Sequence, residues 1–159
     1  MKNNDIEFQF KSPEDSPGYL LGQLTLLWQR KQKRVLDPLG LTSTQFVLLA
    51  ALAWLSKASD NVTQIDIANQ GNADRMMVSK VLRTLEEKKF VTRREHKTDT
   101  RAKTICLTPS GAAILQKALV AIETADLEFF SQSGVDLSTL NTSMSKLINK
   151  NKEDQTIVP

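Results

Sequence analysis

The apolar positions of this chain recur mainly with a helical period, interrupted by one stretch that alternates like a strand pair. Beginning at Tyr19, the residues Leu20, Leu21, Leu24, Leu27, Trp28 and Val35 repeat at spacings of three and four until Pro38 and Gly40 stop the helix. Its exit, "RKQKR", is basic and suits the negative end of a helix dipole. The next start lies in "LTSTQF", where Thr42 is placed to cap, Gln45 to complete a capping box, and Leu41 to staple against Phe46. The run that follows, "FVLLAALAWL", is apolar on nearly every side and predicts a buried helix.

Past the loop "SKASDN", Val62 is expected to form a one- or two-residue strand and Thr63 to cap a short helix, "QIDIANQ". "GNA" predicts a tight turn with Gly71 and Asn72 in left-handed conformations, and Asp74 caps a second helix reaching about Lys89. A short helix and a longer one joined by a three-residue turn make a helix-turn-helix. In the second helix Val78, Val81, Leu82 and Leu85 form one stripe, while Arg75, Met76, Ser79, Lys80 and Arg83 lie on the other side. One face packs and the other is free to reach. "FVTRRE" and "KTICLT" then carry β-branched residues, and antiparallel pairing makes "HKTDTRA" the tip of a hairpin. Thr108 caps and Pro109 begins a helix with Leu115, Leu119, Ile122, Phe129 and Phe130 on it, which breaks at Gly134. A last helix, capped by Asp136 or Ser138, carries Leu140, Met144, Leu147 and Ile148. The first 17 residues, polar and interrupted by Pro13 and Pro17, read as an extended arm, and "NKNKEDQTIVP" as a fraying tail.

Composition adds a size class: 159 residues, 40% apolar and 25% charged, suit one globular domain with a real core. No stretch approaches the roughly 20 consecutive apolar residues that a membrane span needs, and the polar N-terminus lacks a signal-peptide core. A soluble, cytoplasmic protein without a membrane partner is expected. Cys106, the single cysteine, cannot form an intrachain disulfide. The distribution of charge changes the picture most. From Arg75 to Lys103 ten basic residues face four acidic ones, a local +6 in a chain whose net charge is +3, so the remaining 130 residues carry −3. Such a window is the footprint of a nucleic-acid-binding face, with a solvated charged surface as the plain alternative. With one histidine and one cysteine, no glycine-rich phosphate loop and no clustered acidic pair, the chain offers no catalytic constellation and no cofactor site. His96 and Cys106 are too few ligands for zinc.

Helix-turn-helix plus hairpin is a winged helix, here bracketed by one long helix before and two after, which makes a mostly α fold with a small β-wing. That order, with "GLTSTQFVLLAAL", "TQIDIAN", "VSKVLRTLEEKKFVTRR", "DTR" and "LTPSGAAIL", resembles the MarR family of bacterial transcriptional regulators over about residues 19 to 150. The resemblance implies a homodimer whose first, fifth and sixth helices intertwine and present two winged helices to a pseudo-palindromic operator in double-stranded DNA. It divides the chain into a flexible arm (1–18), a dimerisation helix (19–38), a winged helix-turn-helix DNA-binding domain (39–108), C-terminal dimerisation helices (109–150) and a flexible tail (151–159). The wide apolar faces of "LLGQLTLLW" and "AAILQKALVAI", more than a small winged helix can bury, support the dimer independently. Two-fold symmetry would set the recognition helices about one DNA turn, roughly 34 Å, apart.

By family position, the face of Arg75, Met76, Ser79, Lys80 and Arg83 enters the major groove. Arg75 is placed for a bidentate contact to guanine, Ser79 for a base or phosphate, and Lys80 and Arg83 for phosphates. Met76 departs from the polar residue usual there, and either touches a thymine methyl or simply lies exposed. The wing candidates are Arg94, Lys97, Asp99, Arg101 and Lys103; "DTR" matches the family's Asp-x-Arg pattern, in which Asp99 braces Arg101 for the minor groove. His96 and Thr100 replace a common aspartate and a frequent second arginine, which implies a weaker grip. Trp28 and Trp54 are candidates to line the family's cavity for a small aromatic or anionic effector, with plain core packing the favoured reading. The implied function is a repressor released by such an effector. The alternative, a winged-helix protein-interaction module without DNA binding, sits poorly with the +6 window.

Overall fold

Ser16 caps the first helix and Pro17 fills its first turn, so α1 (Pro17–Leu36) starts two residues ahead of the apolar period. The computed structural model describes residues 6–71, 73–95, 98, 103–131 and 134–155. The expected arm already carries local structure: Pro13–Asp15 form a 3-10 turn, with Ser12 and Asp15 in a reciprocal capping box. After Leu36 the chain tightens through Asp37–Leu39 and reverses at Gly40, whose φ of 66° favours a residue without Cβ.

Thr42 then caps α2 (Ser43–Leu55): its hydroxyl accepts the Gln45 N–H while the Gln45 side-chain Oε1 accepts the Thr42 N–H. Leu41 and Phe46, the expected staple pair, are both buried. The next elements are α3 (Gln64–Gln70), α4 (Arg75–Glu87), β1 (Val91–Glu95) and β2 (Lys103–Leu107). The two strands pair antiparallel, Val91 opposite Leu107 and Glu95 opposite Lys103. The strand expected near Val62 is a single bridge, Thr63 to Thr104, reinforced by the Ile105 N–H donating to the Val62 carbonyl at 2.8 Å. It ties the hairpin to the start of the helix-turn-helix. The helix α5 (Pro109–Ser131) begins where Thr108 was expected to cap, and the Thr108 hydroxyl accepts the Gly111 N–H at 2.9 Å.

The chain divides into two units, one through Ile122 and one from Glu123 onward. The first has a continuous core built from Leu49 and Leu52 of α2, Ile67 of α3, Leu82 of α4, Ile105 of β2 and Leu115 of α5. At roughly 25 cal/mol per Å² of apolar surface removed from water, such side chains supply most of its stability. In the second unit Gly134 turns the chain with φ 69°, and Asp136, one of the two caps expected, accepts the Thr139 N–H at the start of α6 (Leu137–Gln155).

Several boundaries differ from the sequence reading. Gly71 is not left-handed, with φ −86° and ψ −1°. Its N–H still donates to the Ile67 carbonyl, so it is the cap residue itself; Asn72 lies outside the described residues. The recognition helix stops at Glu87 rather than about Lys89, and α6 runs to Gln155, past the boundary set at 150. No single helix among the described residues is long and apolar enough to cross a membrane.

Candidate nucleic-acid interface

The recognition helix is held at both ends by side-chain hydrogen bonds. At the start, Asp74 Oδ1 accepts the Met77 N–H at 2.8 Å, and Gln64 Nε2 of α3 donates to the Arg75 carbonyl at 3.4 Å. Thr63 and Asp66 form a capping box that in turn fixes the start of α3. The buried stripe of α4 is Val78, Leu82 and Leu85, each fully removed from solvent. Of the predicted contacts, Arg75, Met76, Lys80 and Arg83 are exposed and Ser79 is half-buried; Met76, Lys80 and Arg83 lie opposite the stripe, and Arg75 at its flank. Arg75, Lys80 and Arg83 engage in no ion pair among the described residues, which leaves three cations uncompensated on that face.

The far end of the helix spends its charge internally. Lys88 Nζ donates to the Gly40 carbonyl at 2.7 Å and to Gln45 Oε1 at 3.1 Å, tying the end of α4 to the start of α2. Lys89 takes a φ of 61°, the Phe90 N–H donates to the Leu85 carbonyl, and the Lys89 N–H to the Glu86 carbonyl. This is a Schellman reversal with lysine where glycine is usual. Sequence patterning missed it because nothing in a lysine signals left-handed backbone.

On the wing, Arg94 and Lys103 are exposed, and Arg94 stands opposite Thr104. Lys97, Asp99 and Arg101, together with His96 and Thr100, lie outside the described residues, so the braced finger read from "DTR" is neither built nor refuted by them. Arg93, on the strand face shared with Val91, points inward instead: its Nε lies 3.2 Å from Glu86 Oε2 of α4. That approach is off the line of a hydrogen bond, and Arg93 Nη2 is buried without a hydrogen-bond partner among the described residues. Of the ten basic residues in the charged window, Lys88 and Arg93 therefore serve the fold, not the free surface.

The effector candidates fare differently from one another. Trp28 packs against the core of the first unit, in line with the favoured reading. Trp54 is no core residue: it is 63% exposed, and its ring carries Lys57 Nζ 4.5 Å from the centroid. The apolar character of α2 extends all round the helix, and a single chain cannot cover every side of it. A cleft of about 430 Å³ along the wing is lined by Ser56, Asp60, Asn61, Arg94, Thr104 and Cys106 among others, and one of about 370 Å³ by Phe8, Phe10 and Tyr19 with their neighbours. Neither tryptophan lines either cleft.

The same arrangement of elements recurs in known proteins. The MarR family model matches residues 41–103, the span from the cap of α2 to the second wing strand. The uncharacterized HTH-type transcriptional regulator YdcH of Bacillus subtilis is 39% identical over 123 residues, covering 77% of this chain and 84% of that protein. Among solved structures, the Staphylococcus aureus MepR–DNA complex superposes with a TM-score of 0.76 at 25% identity, covering 89% of this chain and 99% of that one. CouR of Rhodococcus jostii bound to p-coumaroyl-CoA superposes with a TM-score of 0.75 at 22% identity over 87% and 93% of the two chains. A helix-turn-helix with a cationic outer face, a paired wing behind it and a relative this similar over most of its length lead to one conclusion: the chain belongs to the MarR family of winged helix-turn-helix, DNA-binding transcriptional regulators.

Proposed function

We propose that this regulator acts as a homodimeric repressor on a pseudo-palindromic operator in double-stranded DNA, and that a small aromatic or anionic effector releases it. The observation that carries the reading is the exposed side of α4, where Arg75, Lys80 and Arg83 have no ion pair among the described residues while Val78, Leu82 and Leu85 are fully buried. In that reading the face enters the major groove, with Ser79 at its margin, and Arg94, Lys97, Asp99, Arg101 and Lys103 belong to a wing that follows the adjacent backbone and minor groove. MepR, a structural relative solved on DNA, supports the docking mode.

The dimer is supported by apolar surface that water would otherwise cover. On α1, Leu20, Leu21, Leu24 and Leu27 are exposed, and on α6 so are Leu147 and Ile148. Contiguous exposed apolar faces of this kind mark interfaces. Release by an effector follows from linkage: a ligand that binds the DNA-incompetent arrangement more tightly shifts the population toward it. CouR, solved with p-coumaroyl-CoA, shows a protein of the same fold binding an aromatic, anionic ligand.

The test is a titration of the purified protein against mixed genomic duplexes at two salt concentrations. A dimer neutralising about six to ten phosphates should lose at least about a thousandfold in affinity between 50 and 200 mM salt. Binding that ignores salt, or no binding at all, would overturn the reading in favour of a protein-interaction module. Sedimentation of the same sample should give twice the chain mass of 17.8 kDa.

A further inference from the structure

Met76 is the apolar exception on a polar face. It is 82% exposed, while its neighbours on that face are charged or hydroxyl-bearing. Advancing about 100° per residue along the helix, Glu87, Lys80 and Met76 fall closest to the middle of the surface turned away from Val78, Leu82 and Leu85, and of the three only Met76 is apolar. The backbone presenting Met76 is anchored on both sides, by the Asp74 cap to the Met77 N–H and by Gln64 to the Arg75 carbonyl.

A lone apolar side chain on a protein surface needs no explanation. This one stands in the first turn of a helix whose face is bound for the major groove, and the floor of that groove offers a single apolar group, the C5 methyl of thymine. Apart from the smaller C5–H of cytosine, the features there are hydrogen-bond donors and acceptors, which a thioether serves poorly. An unbranched, polarizable side chain with three rotatable bonds adapts to a methyl without demanding one fixed approach. We propose that Met76 reads a thymine methyl, so that one A·T pair in each operator half-site is selected by apolar contact beside the positions read by Arg75. The assignment rests on the docking of α4 proposed above, and it specifies what that face recognises.

The experiment starts from a duplex enriched from a random library by the full-length protein, and replaces each thymine in turn by uracil, which removes only the methyl. At one thymine per half-site, binding should weaken about fourfold, the worth of one buried methyl group. Met76→Ala should bind the thymine and uracil duplexes equally, and Met76→Leu should keep part of the preference. Because Met76 is exposed, both variants should melt with the wild type by circular dichroism. Uracil tolerated at every position, or the same penalty persisting in Met76→Ala, overturns the assignment alone. Failure to bind any duplex at about 50 mM salt overturns the DNA-docking reading and this assignment with it.

Discussion

Gly111 and the Phe90 carbonyl approach so closely that no side chain fits between them: a Cβ on Gly111 would lie 1.9 Å from the Phe90 oxygen and 2.8 Å from its carbon. The same oxygen accepts the Thr108 N–H at 3.1 Å, so the start of α5 closes directly onto the corner where the recognition helix becomes the wing. The obstacle is backbone, which cannot swing aside as a long side chain would. Gly111→Ala should therefore cost at least about 3 kcal/mol, the upper range for overpacking a tight site. Urea unfolding with an unchanged slope measures it, and a loss below about 1 kcal/mol would show that the corner yields.

Lys89 should respond in the opposite direction. Its φ of 61° costs an L-residue roughly 1 kcal/mol, and its side chain makes no hydrogen bond or ion pair among the described residues. The useful atom is its carbonyl oxygen, which accepts the hydroxyls of Thr108 at 2.6 Å and Ser110 at 2.9 Å, and any residue supplies that. Lys89→Gly should raise stability by about 0.5 kcal/mol after the added backbone entropy of the unfolded chain is subtracted. A thermal melt of both proteins decides it; a lower midpoint for the variant would mean that the lysine side chain contributes more than its backbone costs.

Arg93 and Glu86 join the wing to the recognition helix by an ion pair that is only half completed. Nε is 3.2 Å from the carboxylate, while Nη2 is buried with no hydrogen-bond partner among the described residues. The attraction itself is worth under about 1 kcal/mol, since Glu86 is partly in water. Removing one partner and removing the other are not equivalent. Glu86→Ala strips the only charge that faces the guanidinium among the described residues and should cost about 1 to 2 kcal/mol, whereas Arg93→Met removes the under-satisfied group and should cost less than half as much. Equal losses for the two variants would show that Arg93 finds adequate hydration where it stands.

How much of this was legible beforehand depended on whether the signal was local. Caps and boxes at Thr42, Thr63, Asp74 and Thr108 are spelled out within four residues of each helix start, and each is found as read. The buried stripe of α4 follows from period alone. The ends were harder, because a helix stops where its last carbonyls find partners, and those of α4 are met by a lysine in left-handed conformation that no propensity favours. Lys88 and Arg93 read as part of a basic surface because charge can be counted along a sequence, while their partners, Gly40 and Glu86, are brought near only by folding. Trp54 misled for the converse reason. An apolar helix predicts burial, but not which sides the single chain can cover.

That separation of structural from free cations gives a direct check on the interface. Arg83 is exposed on the α4 face and has no ion pair among the described residues, while Lys88, five residues on, has its ammonium committed to Gly40 and Gln45. If the face meets phosphates through its free cations, Arg83→Ala should lower the slope of log affinity against log salt by about 1 for each protomer, and Lys88→Met should leave that slope unchanged. Lys88→Met should instead lose about 0.5 to 1.5 kcal/mol of folding stability, because the Gly40 carbonyl and Gln45 give up a shared donor. Salt-dependent fluorescence anisotropy on one duplex, beside urea melts of the same two variants, separates the outcomes. A reduced slope for Lys88→Met would place that ammonium on the DNA and undo the distinction between the two kinds of charge.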